Sequence, residues 1–139
     1  MFSSWVSDYH KLSVWRKSHA LVLNVHQVAI KIRGVNYGSL RNQILRAAMS
    51  IPANIVEGSG RQSRKEFARF IRIALNSSSE LEYHLLMARD FKVITPAQFI
   101  FLSTQTIEVR KMLYGLLNKV LTSTTGFPDA TPNGQCGVT

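Results

Sequence analysis

Residues 63–88 read SRKEFARFIRIALNSSSELEYHLLMA, and their periodicity decides the fold. Ser63 and Glu66 form a capping-box pattern, in which the serine hydroxyl accepts from the Glu66 amide and the glutamate reaches back. Phe67, Ile71, Ala74, Ser78, Leu81, Leu85 and Ala88 then follow in alternating steps of four and three. Such steps bring every member to one side of a 3.6-residue helix, so the spacing predicts a long amphipathic helix over 63–91. Ala74 and Ser78 are small, which lets a neighbouring helix approach closely at mid-length.

The pattern recurs on both sides. Downstream, Thr95-Pro96-Ala97-Gln98 is a second capping box, with proline at the first helical position, where its missing N–H costs nothing. Phe99, Leu102, Thr106, Val109, Leu113, Leu116 and Val120 repeat the seam and predict a helix over 95–121. Upstream, Ser39 is a good N-cap, and Leu40, Ile44, Ala47, Ile51 and Ile55 predict a helix over 39–57. Val14, Ser18, Leu21, Val25, Val28 and Ile32 predict another over 12–33. Gly34-Val35-Asn36-Tyr37-Gly38 and Gly58-Ser59-Gly60 punctuate the chain between them, with Gly58 expected as a C′ cap.

No stretch sustains the alternation of a strand. Four helices joined by short connections imply an all-α fold, an antiparallel up-down-up-down four-helix bundle over residues 12–121. Residues 1–11 are left as an N-terminal arm. Residues 122–139 (TSTTGFPDATPNGQCGVT) are small, polar and aperiodic, and are expected to be a disordered tail.

At 139 residues and 45% hydrophobic content the chain suits one domain with a real core. No apolar run approaches the ~18–20 residues of a spanning helix, so no membrane partner is expected. The first residues lack a basic stretch followed by an apolar one, which argues against a secretory signal. Cys136 is the sole cysteine, so an internal disulfide or a cysteine-rich zinc site is excluded and cytoplasmic residence is expected.

The formal net charge is +9. Lys31, Arg33, Arg41, Arg46, Arg61, Arg64, Lys65, Arg69 and Arg72 face only Glu57 and Glu66 in that stretch, which therefore holds +7 of the total. Arginine outnumbers lysine six to one from Arg41 to Arg72, and its guanidinium fork binds phosphate or carboxylate bidentately. Arg41, Arg46, Arg61, Arg64, Lys65, Arg69 and Arg72 are thus the candidate nucleic-acid-binding residues, against the plainer reading of a solvated face. Phe67 and Phe70 read as core, so no aromatic interleaves with these charges and base stacking is not indicated.

Five residues stand out as structural or interfacial. Pro52 inside a helix removes a hydrogen bond and crowds the Ala48 carbonyl. Either the helix kinks there or Ser50 caps a new segment. Asn54 is placed to satisfy backbone groups loosened by Pro52. Glu57, one residue before Gly58, opposes the helix dipole and calls for a basic partner: Arg46, Arg61 or an arginine across a subunit interface. Glu80 is spaced to pair with His84 or with an arginine. Trp15, Leu23, Ile30, Tyr83 and Met87 lie off the seams, which a wider core stripe or a subunit interface would explain.

Catalysis is not expected. The chain has no Glu-x-x-His or His-Glu-x-x-His pattern for a metal, so no metal or other cofactor is implied. None of His10, His19, His26 and His84 follows an arginine at the spacing of the helical HEPN ribonucleases.

Ser50-Ile51-Pro52-Ala53-Asn54-Ile55-Val56-Glu57-Gly58, Arg61, the start of the Phe67 helix, Ser79-Glu80-Leu81-Glu82-Tyr83-His84-Leu85-Leu86 and Val14-Trp15 together resemble the bacterial four-helix-bundle family of 23S rRNA intervening-sequence proteins. The resemblance spans Leu12 to Leu121; Asn76 stands where many members have glycine. It implies a four-helix bundle without established enzyme activity. It also implies similarity to the accessory proteins of diversity-generating retroelements, hence a homopentamer with nucleic acid and a reverse transcriptase as partners. The expectation is a non-catalytic, basic homo-oligomer binding nucleic acid, the alternative a scaffold for an acidic protein.

Overall fold

The computed structural model describes residues 8–122. Residues 1–7 of the arm and 123–139 of the tail, with Cys136, lie outside the described residues. Four α-helices occur among the described residues: α1 Ser13–Ala29, α2 Gly38–Ser59, α3 Arg64–Asp90 and α4 Pro96–Thr122. Single 3-10 turns at Tyr9–Lys11 and Val35–Tyr37 precede α1 and α2, and no strand occurs among the described residues. Each helix packs on its two neighbours in the cycle α1, α2, α3, α4, and α1 closes back on α4. This is the up-down-up-down bundle that the seams predict.

Every seam residue of α3, from Phe67 to Ala88, is buried. So are Leu102, Thr106, Val109, Leu113, Leu116 and Val120 of α4. Polar seam members bond within their own helix: Ser18 Oγ donates to Trp15 O, Ser78 Oγ to Leu75 O and Thr106 Oγ1 to Leu102 O. That is how a hydroxyl is tolerated at a core position. The Thr95–Gln98 capping box forms in both directions, at 2.8 and 3.0 Å. The Ser63 box forms in one: Ser63 Oγ accepts from the Glu66 amide (3.1 Å), while the Glu66 carboxylate turns to Arg69.

Two local expectations are corrected, and one of two open alternatives is excluded. First, α1 stops at Ala29 rather than Arg33, because Lys31 and Ile32 donate to Val28 O and Ala29 O in tighter i−3 bonds. That turn still buries Ile32, and Ala29 replaces Val28 as the fully buried seam residue. Second, Gly58 is not a C′ cap. It lies inside α2 without a positive φ, buried where the Phe67 and Phe70 side chains leave no room for a Cβ. Third, Ser50 caps no new segment, since α2 runs unbroken through the buried Pro52. Asn54 Nδ2 instead donates to Ser50 O (2.7 Å), satisfying backbone near the proline as its position suggests.

Where α3 ends, Lys92 has φ 64°, the one positive value outside glycine among the described residues. Val93 N–H bonds Ala88 O and Lys92 N–H bonds Arg89 O, the Schellman arrangement that turns the chain toward α4.

Candidate nucleic-acid interface

The α2–α3 corner organises the basic residues. Gly58 lets Phe67 and Phe70 sit against α2, and Ser50 Oγ meets Ser77 Oγ at 2.7 Å two turns further along. The two helices are therefore antiparallel and close. Arg61 in the connecting turn, and Lys65, Arg69 and Arg72 on the first three turns of α3, share that end of the bundle.

The seven predicted cations divide by their partners. Arg41 is half-buried and donates to Ile32 O (3.0 Å), satisfying a carbonyl just past α1. Arg64 is 8% exposed, too buried to present a guanidinium to a phosphate. Both are structural rather than surface groups. They read as surface residues in the sequence because charge alone does not show which helix face is covered. Arg61 meets Glu57 at 2.6 Å and Arg69 meets Glu66 at 3.1 Å. Arg46, Lys65 and Arg72 are exposed and have no partner among the described residues. Arg46 is set apart, ~22 Å along the chain from Arg61 at 1.5 Å per helical residue.

Glu57 thus has a basic partner in its own chain, and of the options open from sequence it is Arg61. Both side chains are about half exposed, so the pair contributes no more than ~1 kcal/mol. The reading of Phe70 needs correction. It is buried, but beneath two cations: the Arg61 and Arg69 guanidinium carbons lie 4.8 and 4.4 Å from its ring centroid. An aromatic does interleave with the charges, covered by them rather than open for stacking.

Glu80 is exposed, and no bond joins it to His84, whose Nε2 is enclosed without a hydrogen-bond partner. The ion pair on this part of α3 is one the sequence did not suggest. Glu82 Oε1 accepts from Arg110 Nη2 at 2.6 Å, and the same guanidinium donates to Ser78 O and Ser78 Oγ, both at 3.2 Å. The partners are 28 residues apart, so no local spacing rule pairs them. Beside this network a cleft of about 290 Å³ is lined by Ser79, Glu82, Tyr83, Leu86 and Phe99. Tyr83 is 56% exposed.

No group of three or more His, Cys, Asp or Glu side chains converges among the described residues. No helix among them is long and apolar enough to cross a membrane.

The family model described as 23S rRNA-intervening sequence protein matches residues 10–115. No curated protein sequence matches the chain. Among solved structures, a protein of unknown function from the S23 ribosomal protein family of Bacteroides thetaiotaomicron VPI-5482 is similar, with a TM-score of 0.68 and 30% identity. The match covers 75% of this chain and 97% of that one. With the bundle, its length and the matched span in agreement, this chain belongs to the 23S rRNA-intervening sequence protein family.

Proposed function

We propose that this chain is a non-catalytic, homo-oligomeric bundle that binds nucleic acid through the basic end formed by α2 and α3. The observation that carries the reading is the juxtaposition of Arg61, Lys65, Arg69 and Arg72 at one helix–helix corner, with Lys65 and Arg72 unpaired among the described residues. Unpaired exposed cations release condensed counterions when they meet phosphates, which favours a polyanionic ligand.

Self-association is part of the reading. Leu23 on α1 and Ile30 just past its end are each 53% exposed, large apolar groups seven residues apart that face out. A ring of five, as the family resemblance implies, would repeat the basic end around one axis and strengthen its field. A reverse transcriptase remains a protein partner by family analogy, and cytoplasmic residence fits these partners.

The second reading, a scaffold for an acidic protein, is favoured by the arginines of the same basic end, whose guanidinium forks bind carboxylates as well as phosphates. Competition separates the two. Binding to structured RNA or duplex that weakens steeply between 50 and 200 mM salt supports the nucleic-acid reading. Absence of any DNA or RNA binding at 50 mM salt removes it, and a monomeric mass in solution removes the oligomer.

A further inference from the structure

Lys65, Arg72, Asn76 and Tyr83 are separated by 7, 4 and 7 residues and are all exposed. At ~100° per residue these steps return to within ~40° of one line along α3. The line begins in the unpaired cations of the basic end and runs ~27 Å to a tyrosine at the mouth of the Ser79–Phe99 cleft. A basic start and an aromatic end on one helix face are the two parts of a single-strand track: charge for the backbone, a π-face for a base.

The charges along this line favour one polarity of use. Glu80 is exposed beside Tyr83 with no cation bonded to it among the described residues, so phosphates are repelled from that end. Bases carry no charge and are not. Arg110 neutralises Glu82 through Oε1, and Oε2 has no donor among the described residues. A carboxylate oxygen left without a donor is a suitable acceptor for an exocyclic amino group, such as cytosine N4. Ser79 adds a hydroxyl, and Leu86 and Phe99 add apolar walls. The cleft's volume of about 290 Å³ lies just below the range for drug-sized small-molecule sites, room for a single base.

Resting on the nucleic-acid reading above, we propose that the ligand is single-stranded: its backbone lies on Lys65 and Arg72, and one unstacked, amino-bearing base rests on Tyr83 and enters the cleft beside Glu82.

The test is fluorescence anisotropy of the full chain with labelled oligocytidine, oligouridine and a duplex of equal length. Oligocytidine is expected to bind more tightly than oligouridine, and both more tightly than the duplex. Tyr83→Ala should weaken single-strand binding by about 5- to 100-fold, while Tyr83→Phe keeps it. Lys65→Ala with Arg72→Ala should flatten the salt dependence by ~0.7 for each phosphate that is no longer neutralised. Tyr83 is exposed, so its variants are expected to fold, which helix content and melting temperature verify. If duplex binds as well as single strands and Tyr83→Ala changes nothing, the track is overturned while the basic end keeps its role. Tyr83→Ala altering oligomer mass instead of affinity also overturns it, by placing that tyrosine between subunits. Failure of every oligonucleotide to bind removes both readings.

Discussion

A Cβ on Gly58 would fall 2.8 Å from Phe67 Cδ1, so the close approach of α2 to α3 at the basic end depends on its absence. Phe67 is fully buried, and the second atom that Cβ would meet, Phe70 Cβ at 2.8 Å, is fixed to backbone. Neither can move aside cheaply. Gly58→Ala should gain ~1 kcal/mol of helix propensity and lose more, ~1–3 kcal/mol, to overpacking. The expected net result is a lower denaturant midpoint. Gly115 on α4 is the control, since a Cβ there meets nothing within 4 Å. Gly115→Ala should raise stability by ~0.5–1 kcal/mol. Equal shifts for the two glycines would show that Gly58 is not needed for close approach.

Arg110 should matter more than the arginines of the basic end. Its side chain is 22% exposed and ties α4 to Ser78 and Glu82 of α3. Arg110→Ala leaves Glu82 without its cation and is expected to cost ~1–3 kcal/mol, discounted from a fully buried pair for its partial exposure. Arg61→Ala removes an exposed pair and should cost no more than ~1 kcal/mol. Chemical denaturation of the two variants gives the comparison.

Lys92 holds a left-handed conformation that ordinary side chains adopt at a cost of ~1–2 kcal/mol. Glycine adopts it freely but loses more backbone entropy on folding. Lys92→Gly should therefore raise the unfolding free energy by up to ~1 kcal/mol, read from thermal or urea melts, without altering the Schellman bonds. A loss of stability would mean that the lysine side chain has a compensating contact in solution.

How far the sequence was legible follows from what each signal depends on. The α3 and α4 seams and their caps depend on neighbours three and four residues apart, and their bounds were predicted to within one residue. Gly58 misled because a glycine near a helix end looks the same whether it is needed for φ or for space. Only the Phe67 and Phe70 contacts distinguish the two. Arg41 and Arg64 look like surface charges in the sequence because burial is set by the packing of other helices. The Glu57–Arg61 pair was one of several options because i,i+4 spacing is local. Arg110 with Glu82, and the cleft beside them, bring together residues from two helices with no sequence pattern between them.

Asp8 makes the start of α1 sensitive to acid. Its carboxylate accepts from His10 N–H at 3.0 Å and meets His10 Nδ1 at 2.8 Å, capping the Tyr9–Lys11 turn. His10 in turn stacks on Tyr9 and meets the edge of Trp15, so the cap anchors a small aromatic cluster. The side-chain bond to His10, followed by the backbone bond, holds the Asp8 carboxyl below the ordinary aspartate value of 3.8. In the unfolded chain the carboxyl returns to that ordinary value. The stabilisation is therefore complete above it and is lost as pH falls through the lower, folded value. A carbon-13 titration of the Asp8 carboxyl should show the depressed midpoint, with the Trp15 indole signal shifting in parallel. Asp8→Asn keeps a side-chain oxygen for the His10 amide but removes the charge, so the indole should lose its acid transition in that window. An Asp8 carboxyl that titrates at the ordinary aspartate value would mean that the cap does not persist in solution.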